Sequence, residues 1–240
     1  MKILSAIHWR TDAAAAIRYS PLLLKHVGSK RGQLLLAVVC VRGGGQEGTD
    51  MADRLIGEAG VWFEQNYMEI MWKNHSLRRV RRGLALLLDG VGTGRRDGAA
   101  YSGDGRAASI SLALLLIWKK KYITMQCGEA GVYRLAGRPP RGKLPSAKCR
   151  PAHIDRASQR RRKPRTLVLY TGCLRRKTGF LLCGDGFIRG VSHRQLHEAL
   201  YPAAMKSEEQ MTKRLAGIAD YVTAKSGPAD MAALYVATTK

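Results

Sequence analysis

Carboxylate is scarce in this sequence beside its basic residues. Its 240 residues hold 18 Asp and Glu against 41 Lys and Arg, a formal net charge of +23 with His neutral. A site that gathers several carboxylates around hard cations has few residues to draw on here, so any acid placed at the end of an apolar strand gains weight. Paired cysteines are missing too. Five Cys occur, an odd number without a CxxC spacing, which excludes a disulfide framework and a zinc knuckle. Cys40, Cys127 and Cys183 end apolar runs and read as reduced, buried thiols. No apolar run approaches the roughly 18 residues of a membrane-spanning helix. The best, Leu34 to Val41 and Ile110 to Trp118, have the length of strands. A soluble, cytoplasmic protein is therefore expected. Met1 to Ser20 is broken by His8, Trp9, Arg10 and Asp12, which excludes a secretory signal, while its Ala run and two Arg leave a transit peptide as the alternative.

What is present is the composition of a folded chain, 45% apolar and 25% charged. Leu34 to Val41 reads as a buried strand running into a tight turn at Gly43, Gly44 and Gly45. Met51, Leu55, Ala59, Trp62 and Phe63 then recur at three- and four-residue steps, predicting an amphipathic helix from Asp50 to about Trp72 with Trp62 and Trp72 in the core. A basic knot follows at Arg78, Arg79, Arg81 and Arg82, and Asp89 to Gly105, glycine-rich, reads as turns, with Ser102 to Gly105 as plain loop. From Ser109 to Leu135 the period changes to two, giving a β-meander with a polar turn at Lys119 to Lys121. Such a sheet needs a second layer, and the helices are the available cover.

Charge is concentrated between Arg134 and Lys177, where 15 Lys and Arg face the single acid Asp155. Five prolines make that window a long irregular loop. Ser192 with Gln195 and Ser207 with Gln210 have capping-box spacing, and Met211, Leu215, Ile218, Ala219 and Val222 form one face of the second helix they start. A last strand, Ala232 to Ala237, follows. His193 and His197, four apart on a helix, have metal-ligand spacing but no third ligand, so solvent-facing histidines are the preferred reading.

Two acids stand out by position. Asp185 lies in Cys-Gly-Asp-Gly-Phe after a strand, and Asp230 directly precedes the last one. Carboxylates held at strand ends are a means of binding Mg²⁺ or Mn²⁺. With this order of elements the chain resembles the metal-dependent protein phosphatases (PPM, type-2C serine/threonine phosphatases), in particular the compact bacterial ones. Phe180-Leu181-Leu182-Cys183-Gly184-Asp185-Gly186-Phe187 is similar to the family's Leu-Leu-Cys-Ser-Asp-Gly-Phe, and Leu35 to Cys40 followed by Gly44-Gly45 to the strand entering its Asp-Gly-Met-Gly-Gly turn. Leu115 to Ile117 through Val132 to Leu135 resembles the strand pair around Gly-Asp-Ser-Arg, and Gly227 to Asp230 the Asp-Asn ending.

The resemblance spans nearly the whole chain and implies one α+β domain over residues 1–240, a four-layer αββα sandwich of two antiparallel sheets flanked by helices, with a basic loop insertion at about 136–166. It also implies a two-metal centre at one end of the sandwich, where a bridging water attacks a phosphoserine or phosphothreonine. The departures fall on that centre. The bridging Asp aligns with Val41 and the following Gly with Arg42; the amino-terminal phosphate-binding Arg aligns with Ala15 and the nearby acid with Ser20; Gly-Asp-Ser-Arg becomes Gly128-Glu129-Ala130-Gly131; the Asn after Asp230 is Met231.

The expected metal residues are therefore Asp185, Asp230 and Glu129, holding Mg²⁺ or Mn²⁺ weakly, partially or not at all, with Arg42 as phosphate ligand and no certain catalytic residue. The leading expectation is a pseudophosphatase that binds a phosphoprotein, a protein kinase or another signalling partner. A rearranged but active phosphatase comes second. A polyanion or nucleic-acid binder acting through the basic loop comes third; against it, the basic runs have few aromatics interleaved.

Overall fold

A computed structural model describes residues 2–10, 22–30, 32–43, 45–72, 77–93, 109–128, 130–136, 168–175, 177–227 and 231–239. The long apolar runs explain the architecture. A strand with apolar residues at every position has two faces to bury, and the strand β3 (Gly32–Gly43) buries both. Leu34, Leu36, Val38 and Cys40 pack with Leu55, Ala59 and Phe63 of the helix α1 (Gly45–Trp72) and with Val80 and Leu84 of α2 (Leu77–Thr93). Leu35, Ala37 and Val39, on the opposite face, pack with Phe180, Leu182, Leu234 and Val236 of the facing sheet. The same division splits β4 (Ser109–Trp118), whose even-numbered residues Leu112, Leu114 and Leu116 meet the helices while Ala113, Leu115 and Ile117 meet the other sheet.

The sheet containing β3 has the order β2 (Leu22–Ser29), β3, β4, β5 (Lys121–Cys127), β7 (Val168–Cys173), all neighbours antiparallel. The facing sheet has the order β1 (Lys2–Arg10), β9 (Met231–Thr239), β8 (Thr178–Cys183), β6 (Gly131–Ala136), again antiparallel throughout. Its outer face, carrying Leu4, Leu181, Ala233 and Tyr235, is covered by Phe187 of α3 (Asp185–Ile188), Leu196 of α4 (His193–Ala199) and Met211, Leu215, Ile218, Ala219 and Val222 of α5 (Glu208–Ser226). The layers are helix, sheet, sheet, helix, as expected, and the fold is α+β without a closed barrel.

The caps form as the serines foretold, with one variation. Ser192 and Gln195 make the reciprocal capping box at α4. At α5 the Ser207 hydroxyl accepts from the Gln210 amide, but Gln210 Oε1 accepts from the amide of Lys206 instead of that of Ser207. Buried Tyr235 donates from its phenol to the Leu200 carbonyl at 2.5 Å, joining β9 to the end of α4.

Several expectations are corrected. Lys2–Arg10, given no element from the sequence, is a strand paired along its length with β9. The helix α1 starts at Gly45, not Asp50. The basic knot lies on α2, which runs on through Asp89 to Thr93 where turns were expected; Val80, Leu84, Leu87 and Leu88 give it an apolar stripe that the arginines obscure. Within the window read as irregular loop, Arg134 belongs to β6 and Val168–Cys173 is the strand β7; residues 137–167 and 102–105 lie outside the described residues. Trp72 is exposed, because the core face of α1 passes through Phe63 and Ile70 and leaves position 72 on the far side. His197 is buried instead of solvent-facing, stacked on Tyr201 with ring centroids 5.6 Å apart. Cys40 and Cys183 are buried free thiols, Cys127 is half-buried and Cys173 exposed.

Candidate active-site end of the sandwich

Strand register brings six strand ends together at one end of the sandwich. Cys183, the last residue of β8, pairs with Gly131 at the start of β6 and with Ala233 near the start of β9. One step further, the Gly184 amide donates to the Ala232 carbonyl at 3.2 Å. In the other sheet Val41 is opposite Ser111, and Leu112 is opposite Cys127. The two sheets meet closely here: a Cβ at Gly184 would stand 2.6 Å from Val41 Cγ2. Gly128, with φ +69°, needs glycine twice over, since a Cβ there would also lie 3.0 Å from Ser111 Cβ.

Asp185 is the first residue of α3, released from the sheet by the extended backbone of Gly184. Its side chain is 54% exposed and forms an i,i+4 ion pair with Arg189, 3.8 Å away. Its charge also reaches buried groups behind it. The thiol of Cys183 is pushed well above its ordinary range, first by burial and then by Asp185. Tyr133 on β6 is raised by burial, then by Cys183 and Asp185. His193 lies beside the Tyr133 ring, centroids 6.2 Å apart.

Of the residues predicted for the site, Asp185 is the one whose side chain is described. Glu129 and Asp230 lie outside the described residues, between or beside Gly128, Ala130 and Met231. The backbone of Arg42 continues β3 opposite Ile110; its side chain lies outside the description. Tyr133 and Arg189 were not singled out from sequence. Arg189 had a readable signal, the Asp-to-Arg spacing of four on a helix. Tyr133 had none, because its proximity to Asp185 arises from the pairing of β6 with β8.

Among the described residues, the donors do not make up the ligand set of a bridged pair of cations. Val41 offers methyl groups, which carry no lone pair, at the point where β3 meets Gly184. Cys40 is held protonated by burial, with smaller contributions from Cys127 and Asp53, and Cys183 likewise, so neither supplies a thiolate. Asp185 is shared with a guanidinium, and among the described residues no group of three His, Cys, Asp or Glu is placed to hold a metal.

No protein-family model matches the chain, and no curated protein matches it in sequence. Solved structures do match in fold. Serine/threonine phosphatase Stp1 from Staphylococcus aureus superposes with a TM-score of 0.66 over 100% of this chain and 96% of that one at 13% identity. The S. agalactiae serine/threonine phosphatase gives 0.64 over 99% and 100% at 11% identity. The catalytic domain of the phosphatase PstP, in complex with two manganese ions, gives 0.61 over the full length of both chains at 15% identity. This chain has the fold of the metal-dependent serine/threonine phosphatases. Within that phosphatase fold, the end of the sandwich that carries Asp185 is built from the same strand ends to which the sequence resemblance assigned the metal centre.

Proposed function

We propose that this protein is a pseudophosphatase, a phosphatase fold in one domain that engages a phosphoprotein, a protein kinase or another signalling partner without efficient turnover. The observation that carries the reading is Val41. It occupies the position aligned with the bridging aspartate and packs its methyl group against Gly184, the residue before Asp185. A bridged pair needs a carboxylate that reaches both cations, and lone Asp185 paired to Arg189 is at most a weak site for one. Glu129 and Asp230 would complete such a one-cation site, with Mg²⁺ or Mn²⁺ as the fitting ions and Arg42 as the anion-binding group beside it.

The test is turnover by the purified chain of a phosphothreonine peptide and of p-nitrophenyl phosphate in millimolar Mn²⁺. The expected result is no metal-dependent rate above the Asp185→Ala background. Robust Mn²⁺-dependent hydrolysis abolished by Asp185→Ala would overturn the proposal and establish the rearranged but active enzyme in its place.

A further inference from the structure

The helix pair α1 and α2 carries a surface with large exposed apolar side chains. Its two helices run antiparallel, since Trp62 lies against Gly83 and Glu69 pairs with Arg79 at 3.9 Å. On α1, Val61, Met68 and Trp72 are spaced by seven and four, so they share the stripe opposite the core-facing Leu55, Ala59, Phe63 and Ile70. They are 56%, 52% and 56% exposed, and Leu86 on α2 is 64% exposed. By the antiparallel register Leu86 sits level with Val61, and the first turns of α2 sit level with Met68 and Trp72.

Those first turns are basic. Arg78, Arg79, Arg81 and Arg82 are all exposed, and Arg78, Arg81 and Arg82 form no ion pair with any described residue. At that end of α1 the one acid, Glu69, is matched by Arg79; Glu64 pairs with Lys25 at 2.8 Å and Glu58 with Arg54 at 2.8 Å, and Asp50 and Asp53 lie near the opposite end of the helix. The end of the surface where Met68 and Trp72 meet the first turns of α2 is therefore cationic and carries large apolar side chains, a combination that a solvated face does not need.

We propose that this face of the α1–α2 pair is a peripheral docking surface for an anionic lipid bilayer. Charge complementarity calls for an anionic occupant, and the shape selects the bilayer among anionic ones. Trp62 fills the seam between the helices against Gly83, so the apolar groups project singly from a convex pair of cylinders instead of lining a groove that a partner helix could enter. An interface of headgroups and acyl chains accepts separate Trp, Met, Leu and Val side chains while arginines stay at phosphate level. No described helix is long and apolar enough to cross a membrane, so the contact is one of lying on the surface.

The inference is independent of whether Asp185 binds metal. Its test is co-sedimentation of the full chain with vesicles of phosphatidylcholine, with and without phosphatidylglycerol, near physiological ionic strength. Binding is expected to the anionic vesicles only. The charge-neutral variant Met68→Ser/Trp72→Ser/Leu86→Ser should weaken it about tenfold or more. Arg78→Gln/Arg81→Gln/Arg82→Gln should weaken it by about fivefold per arginine. Lys206→Gln/Lys213→Gln, which removes two charges from the opposite helix layer, should change it less than about twofold. A blue shift of tryptophan emission on adding anionic vesicles, lost in Trp72→Phe and kept in Trp9→Phe, reports insertion in the unperturbed fold. Failure to bind, equal binding by the serine variant, or complete displacement by a single-stranded polynucleotide without loss in the serine variant would each overturn the proposal; the last would assign the affinity to general polyanion binding.

Discussion

Replacing Val41 by Asp puts a carboxylate where the end of β3 approaches Gly184 and Asp185. Without metal the change is unfavourable. Val41 is half-buried, and giving up the burial of its two methyl groups costs about 1 kcal/mol. Partial desolvation of an unpaired carboxylate beside the facing sheet adds about 1–3 kcal/mol. The sum, about 2–4 kcal/mol, corresponds to a melting temperature lower by roughly 5–15 °C for a chain of this length. Metal reverses the sign. With the new carboxylate and Asp185 sharing a cation, free Mn²⁺ at about 100 times its dissociation constant returns about 2.7 kcal/mol, or roughly 5–10 °C. The assay is thermal unfolding of wild type, Val41→Asp and Val41→Asp/Asp185→Asn, each in EDTA and in Mn²⁺. Wild type should shift little, the single variant by several degrees, and the double variant should lose that gain. A full-sized shift in wild type, or a folded Val41→Asp that ignores Mn²⁺, would refute the claim that Val41 is what disables the centre.

Other consequences concern packing and titration. Gly179→Ala would place a Cβ 2.8 Å from Tyr235 Cε2 and 2.9 Å from Pro202 Cγ, and should destabilise by about 1–3 kcal/mol or more in urea titration. Gly217→Ala, on α5 with nothing within 4 Å of the new Cβ, should instead stabilise by up to about 1 kcal/mol. Iodoacetamide should label exposed Cys173 in the native chain, while Cys40 and Cys183 react only after unfolding, as peptide mapping would reveal. His8, with its Nε2 buried and unpaired, is held below its usual pKa of 6.5 first by burial and then by Arg10, against an opposing pull from Asp220. The unfolded chain therefore takes up this proton first: stability is complete above 6.5, falls as pH drops from 6.5 toward the lowered folded value, and is level below it. His8→Gln should flatten the urea midpoint between about pH 7 and 5, and an unchanged slope would exclude His8 as its cause.

The most legible parts of the fold were those where one residue type repeats at a fixed period. The apolar face of α5, both serine caps and the runs of β3, β4, β8 and β9 all needed only local reading. The first two strands were harder to see. Lys2–Arg10 carries His8, Trp9 and Arg10 because as an edge strand it needs burial mainly at Ile3, Leu4 and Ala6. Arginine density hid α2, since composition outweighed the stripe of Val80, Leu84, Leu87 and Leu88. His197 was misplaced because the side that α4 buries depends on α5 and Tyr201, which no spacing within α4 encodes.

The sequence alone determined that carboxylates are few and that Asp185 and Asp230 neighbour apolar runs, and it was the resemblance that aligned Val41 and Arg42 with an Asp and a Gly of the phosphatases. Local chemistry decides such things, because an apolar side chain cannot ligate a cation wherever it lies. Only the tertiary structure decided that Val41, 144 positions from Asp185 along the chain, packs on the glycine preceding it. It alone set Tyr133 within reach of the charge of Asp185 and turned Val61, Met68, Trp72 and Leu86 outward beside the arginines of α2. Those relations depend on antiparallel register and on which helix face the sheet consumes, and both are fixed by packing between segments distant in sequence.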